Sequence, residues 1–207
     1  MKKLLSVILC LALLAGCLTV CAAEEEVSGF GDYSSLSYRN DAAGIQFTLP
    51  EGWSFMSKAE LAAAAGIADE TLGNDAFSEA MEKGMQMNIM TASAPDGGSI
   101  NINATPIPAG AQSGLAALGG EKGLLESAAP DMIQGYSDMG FTITSAEVTT
   151  IDLQGATKDC FRAAMNIVGL EVDLIQFFQI GEECLYVVTI ATMGDPAPVL
   201  AGLTITA

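Results

Sequence analysis

The chain has 207 residues, half of them hydrophobic, with 8 basic and 25 acidic side chains and no histidine, for a formal net charge of −17. So acidic a surface repels nucleic acid, anionic lipid headgroups and wall polyanions, and no basic stripe offsets it, so no nucleic-acid partner is expected. The lack of histidine removes the usual general base, the Ser-His and Cys-His nucleophile pairs and the commonest zinc ligand.

Residues 1–23 have the three parts of an export signal: Lys2 and Lys3, an apolar run from Leu4 to Leu14, then small residues. Leu14-Ala15-Gly16-Cys17 fits a bacterial lipobox, in which the cysteine thiol receives a diacylglyceryl group, so Cys17 is the expected lipidation residue. Two alternatives stay open. Cleavage after Ala23 gives a secreted protein, and an uncleaved apolar stretch reaching Cys21 gives a single membrane anchor. The lipid anchor is the reading adopted, which places the protein at the cell membrane on its extracytoplasmic side.

Without residues 1–23, 184 remain, with 6 basic and 25 acidic side chains and a formal charge of −19, enough chain for one ordinary domain. Residues 24–37 are polar, rich in glycine and serine and without period, and read as a flexible tether. The domain is expected over 38–207.

Along that domain, Ile45, Phe47 and Leu49 alternate with Gln46 and Thr48, the period of a half-buried strand. Ser57-Lys58-Ala59-Glu60 is a capping box opening a helix that stops near Gly66. A second helix fits Asn74–Lys83, ended by Gly84. Strands Met85–Ala94 and Ser99–Thr105 flank Pro95-Asp96-Gly97-Gly98, a hairpin signal, and Pro106–Gly120 reads as a loop. Helical spacing resumes with Leu125, Ala128, Met132, Ile133 and Tyr136 on one stripe; Pro130 should kink or restart that helix and Gly140 end it. Four strands then follow over Phe141–Ile151, Ala156–Ile167, Glu171–Ile180 and Glu183–Thr192, with links short enough for antiparallel neighbours, and a final strand covers Leu203–Thr206. The class is α+β, helices against an antiparallel sheet.

Residues Tyr38–Trp53, YRNDAAGIQFTLPEGW, resemble the first hairpin of PsbP-like domains, in which an apolar strand runs into a Leu-Pro-x-Gly-Trp turn. As an order of elements the likeness continues through YSDMGFTI, GATKDC and CLYVVTIAT. That family includes a photosystem II extrinsic subunit, a Ran-binding release factor and many bacterial lipoproteins. The resemblance implies an α/β/α sandwich around a central antiparallel sheet, and members that mostly bind proteins rather than catalyse. It carries no catalytic residue over, and the PAPVLAG segment before the last strand is shorter than the family's helix there.

No nucleophile, phosphate-loop or dinucleotide motif occurs, so no catalytic residue and no cofactor is assigned. The acidic pairs Glu182-Glu183 and Asp69-Glu70 lack calcium-loop spacing and read as solvated turns, so no metal site is assigned. Trp53 reads as a plug at the core edge, and Met85, Met87, Met132 and Met165 as core filler. In the four-strand meander Cys160 and Cys184 fall opposite about residue 179 or 180 of the strand between them. Two strand spacings of about 4.8 Å separate them, too far for a disulfide, so two free, partly buried thiols are expected. The functional expectation is a non-enzymatic binding or accessory module with a protein partner, held to the membrane through its lipid. The alternatives are an extracytoplasmic hydrolase using acidic residues, or a solute-binding lipoprotein.

Overall fold

The computed structural model describes residues 30–65, 79–108, 111–154 and 156–206. The helix stop at Gly66 and most of the expected helix from Asn74 lie outside them. Its end is described: residues 79–82 are helical, and Met85 N–H donates to the Ala80 carbonyl while Gly84, at φ +68°, donates to Met81. Those paired bonds close the last turn around a glycine that tolerates the left-handed conformation.

Two antiparallel sheets share one apolar core. The smaller has the order β1 (Asp32–Tyr33), β2 (Ser37–Asn40), β3 (Ile45–Thr48), β11 (Leu203–Ile205). The larger has seven strands in the order β4 (Ser54–Phe55), β5 (Met87–Ser93), β6 (Ser99–Pro106), β10 (Cys184–Thr192), β9 (Leu170–Ile180), β8 (Ala156–Ile167), β7 (Thr142–Leu153). Successive side chains of a strand point to opposite faces, so each long strand feeds two cores. Phe161, Ala163 and Met165 of β8 join Leu174 and Phe178 of β9 against the long helix, while Cys160, Ile175, Phe177, Val188 and Ile190 turn toward the small sheet.

Four helices complete the fold: α1 (Lys58–Ala65), α2 (Ala111–Ala117), α3 (Gly120–Asp138) and α4 (Ala197–Ala201). Leu61 and Ala62 of α1 enter the small-sheet side of the core, and α3 packs on the other, so helices lie on both faces of the central sheet as an α/β/α sandwich requires. The capping box forms as expected: Glu60 N–H donates to Ser57 Oγ at 3.3 Å, and Ser57 N–H donates to Glu60 Oε2 at 2.7 Å. The turn between β5 and β6 closes through Ala94 N–H on the Gly98 carbonyl at 2.8 Å, with Gly97 at φ +94°.

Several expectations need correction. The folded part starts before Tyr38: Phe30 is fully buried, and Tyr33 packs its ring against Tyr38 and Phe55 at centroid distances of 5.0 and 5.3 Å. Two aromatic side chains in a polar stretch find more to gain from the core than from water. The loop expected over Pro106–Gly120 holds α2, because its alanines keep helical propensity despite Gly114. In α3, Gly135 replaces Ile133 in the inward stripe, and Ile133 is exposed. Pro130 does not restart α3, which runs on through it from Gly120 to Asp138; it lies on the solvent side, where water can satisfy the carbonyl it leaves free. Gly140 does end the helix, with Phe141 N–H on the Tyr136 carbonyl and the two rings stacked at 6.2 Å. Met85 is exposed, whereas Met87, Met132 and Met165 are buried. The expected final strand forms as β11, which pairs with β3 in the small sheet.

Candidate functional site

The small sheet covers only part of its face of the large one. At one end the covered strands present Ile151, Leu153, Cys160 and Phe177; at the other, the same alternating positions carry Ser145, Glu147, Arg162, Ala164 and Asp173. That uncovered end is an open groove of about 480 Å³, bounded by β7 on one side and by the chain around Met193 and Gly194 on the other.

Its floor follows from register. Ala164 of β8 lies between Ser145 of β7 and Asp173 of β9, its two cross-strand partners, and the small side chain makes the floor low there. One step along β8, Arg162 faces Glu147 across the strand pair. Arg162 forks onto Asp173, donating from Nε to Oδ1 at 3.0 Å and from Nη2 to Oδ2 at 2.5 Å. The bidentate fit is the strong form of this pair, and the Asp173 hydrogen bond holds the guanidinium even more firmly protonated than usual. Asp173 is thereby neutralised within the protein. Glu147 and Glu171 also border the groove and, among the described residues, make no direct ion pair, although Glu147 adds to the electrostatic stabilisation of the Arg162 charge. The groove therefore presents two carboxylates beyond its internal pair, with Thr144, Ser145, Asn166 and Thr192 as neutral hydrogen-bonding groups. It suits an extended polar or cationic ligand.

Of the residues singled out in the sequence, Met165 borders the groove, and the other described ones lie away from it. Cys17, Ala23, Asp69 and Glu70 are outside the described residues. Glu182 and Glu183 occupy an exposed turn between β9 and β10. Trp53 is half-buried at the edge of the core, its ring tip against Gly98, where an added Cβ would come within 3.2 Å. Cys160 and Cys184 are both free and buried. Their register differs from expectation: Leu185 pairs with Ile180, while Phe161 pairs with Gln176, so the two cysteines are offset along the sheet as well as across it. Burial pushes the Cys160 thiol up to about 11 and raises Cys184 as well. Neither is poised as a nucleophile, which requires the thiolate.

Among the described residues, no three or more acidic or cysteine side chains group as metal ligands, and no helix is long and apolar enough to cross a membrane. Sequence reasoning missed Glu147, Arg162, Glu171 and Asp173. The usable signal was the two-residue link Val168-Gly169: counting outward from it in antiparallel register places Asp173 opposite Ala164, beside Arg162.

The sequence matches no family model and no curated protein. Among solved structures, the solution structure of cyanobacterial PsbP from Synechocystis is similar at a TM-score of 0.46 and 12% identity, covering 92% of this chain and 100% of that one. A crystal structure from Bacteroides thetaiotaomicron is similar at a TM-score of 0.37 and 12% identity, covering 84% of this chain and 49% of that one. At this overlap neither neighbour bears on the groove.

Proposed function

We propose that this protein is a non-enzymatic binding module, exported and held by lipid on Cys17 at the outer face of the cell membrane, whose groove takes a basic segment of a protein partner. The observation that carries the reading is the groove itself, where the central sheet turns charged side chains toward a face that is core farther along the same strands, with the groove's single arginine already engaged by Asp173. A cationic partner would meet Glu147 and Glu171, and the −19 net charge of the processed chain would attract it over about one screening length, about 8 Å at physiological salt.

The carboxylate-hydrolase alternative is less well supported. Glu147 and Glu171 are two strands and four residues apart in register, with Cα atoms roughly 16 Å from each other. Paired hydrolytic carboxyl groups stand about 5 to 10 Å apart. Asp173, the groove carboxylate between them, is tied to Arg162 by both oxygens and so is not free for acid–base work.

The test is crosslinking and recovery from intact cells at low and high salt, beside an activity screen with ester, peptide and glycoside substrates. A recovered partner whose association rate falls with salt supports the reading, because complementary charge acts mainly on association. Turnover that disappears when one acidic residue is replaced, with no partner recovered, overturns it.

A further inference from the structure

The groove's open flank is a strand edge. β7 is the last strand of the seven-stranded sheet, and among the described residues no strand lies beyond it. The other outer strand of that sheet, β4, has two residues, whereas β7 has twelve. Only the far end of β7 is approached by α4 and β11, where Gln154 Nε2 donates to the Ala201 carbonyl at 2.5 Å. A register shift between Ile143 and Ser145 breaks the regular ladder near the start. Among the described residues, this leaves the stretch from Ser145 to Thr150 with one row of backbone N–H and C=O groups unpaired by any strand.

Side chains along that stretch separate by chemistry. Ser145 and Glu147 stand on the groove side, whereas Ala146 and Val148 lean against the α3 core. An added strand would lie about 4.8 Å from β7 with its own side chains alternating in step. Opposite charges across such a pair stabilise it and like charges destabilise it.

We infer that the β7 edge receives an extended segment of a partner protein as an eighth strand, with lysine or arginine on the groove side, opposite Glu147, and β-branched residues on the side of Ala146 and Val148. The inference rests on the binding-module reading and deepens it. Main-chain hydrogen bonds would supply affinity, and the groove would select the charge. A second copy of this chain fits poorly, since edge-to-edge pairing brings a second Glu147 strand and a second −19 charge to the same place. The same carboxylate thus opposes self-association and favours a basic strand.

The probe is a synthetic peptide of about ten residues, a usual strand length, with lysine at every second position and valine or threonine between. It is titrated into the full exported protein while backbone amides are followed by NMR and hydrogen exchange. The result expected is saturable binding with new protection confined to 145–150. N-methylation of one alternate set of peptide amides should abolish binding while methylation of the other set is tolerated. Glu147→Gln should weaken binding roughly tenfold, the scale of one lost charge pair. Glu147 is exposed, so this variant should keep the wild-type melting temperature. The inference is overturned if no saturable binding occurs, if Glu147→Gln has no effect, if both methylated peptides bind alike, or if a peptide of the same composition with its lysines in one block binds equally well. In cells, a partner crosslinked only through residues away from β7 would sink this inference and leave the binding-module reading standing. Turnover without a partner would sink the reading itself.

Discussion

Lys158 Nζ lies 2.5 Å from Glu121 Oε2 and 2.7 Å from Gln179 Oε1, with both charged side chains largely withdrawn from water. Glu121 also accepts the Ile180 N–H at 3.2 Å through its other oxygen, so one carboxylate in the first turn of α3 holds strands β8 and β9 to the helix. Lys158→Met leaves that carboxylate half-buried without its cation. It should cost about 2 kcal/mol, between the cost of a lost charged hydrogen bond and that of breaking a buried ion pair. The double variant Lys158→Met with Glu121→Gln removes both charges and keeps an acceptor for Ile180. Urea unfolding should place it above the single variant, and the opposite order would mean that the pair does not act as a unit.

The β8–β9 hairpin carries a local conflict. Val168 has φ +53° and Gly169 φ +89°, the two positive values of the tight turn that matches strand twist. Valine is among the worst residues for the first of them, and here it is 99% exposed and gains nothing from packing. Val168→Asn should raise stability by about 1 kcal/mol, and Gly169→Ala should lower it by at least as much. Thermal melts of the two variants decide this. An unchanged or lower melting temperature for Val168→Asn would show that the turn is not of this type.

The buried thiols give a pH dependence with a fixed sign. An unfolded thiol titrates near 9, whereas burial holds folded Cys160 to about 11. Across that window the folded state keeps a proton that the unfolded state loses, so stability falls as pH rises. Burial raises Tyr33, Tyr38 and Tyr186 too, which continues the fall at higher pH. Denaturant midpoints measured from pH 8 to pH 11 should decline, and Cys160→Ala should decline less steeply. Native-state thiol labelling should be slow for both cysteines, and non-reducing peptide mapping should find no link between them.

What was legible in the sequence was local. Ser57 and Glu60 name their own cap, Pro95–Gly98 names its turn, and Ile45, Phe47 and Leu49 name a strand face, because each signal is complete within a few residues. What was hidden depends on distant partners. Nothing near Leu203 says that it will pair with Phe47, and nothing near Phe30 says that a core waits for it. The groove was hidden for the same reason. Arg162 and Asp173 look like ordinary surface charges until β8 and β9 are set in register. The sign that a face changes from apolar to charged partway along several strands appears only when those strands are read side by side.

The last prediction concerns attachment. If Cys17 carries lipid, twelve residues lie between it and Phe30, the first described residue and already part of the core, which makes thirteen Cα-to-Cα steps. A chain of that length spans at most about 45 Å, whatever its conformation, so the domain would stay close to the membrane surface. An anionic domain held so near a surface that is itself often anionic should turn its neutral and basic partners' sites outward rather than lie against lipid. Mass spectrometry of the membrane fraction should find a mature N-terminus at Cys17 bearing diacylglycerol, and Cys17→Ala should release the protein or leave its signal uncleaved. Lengthening the spacer before Phe30 should extend the range of partners captured by crosslinking without altering the fold's melting temperature. An unmodified peptide beginning at Glu24, recovered from the medium as the main product, would instead mean cleavage after Ala23 and a freely diffusing protein.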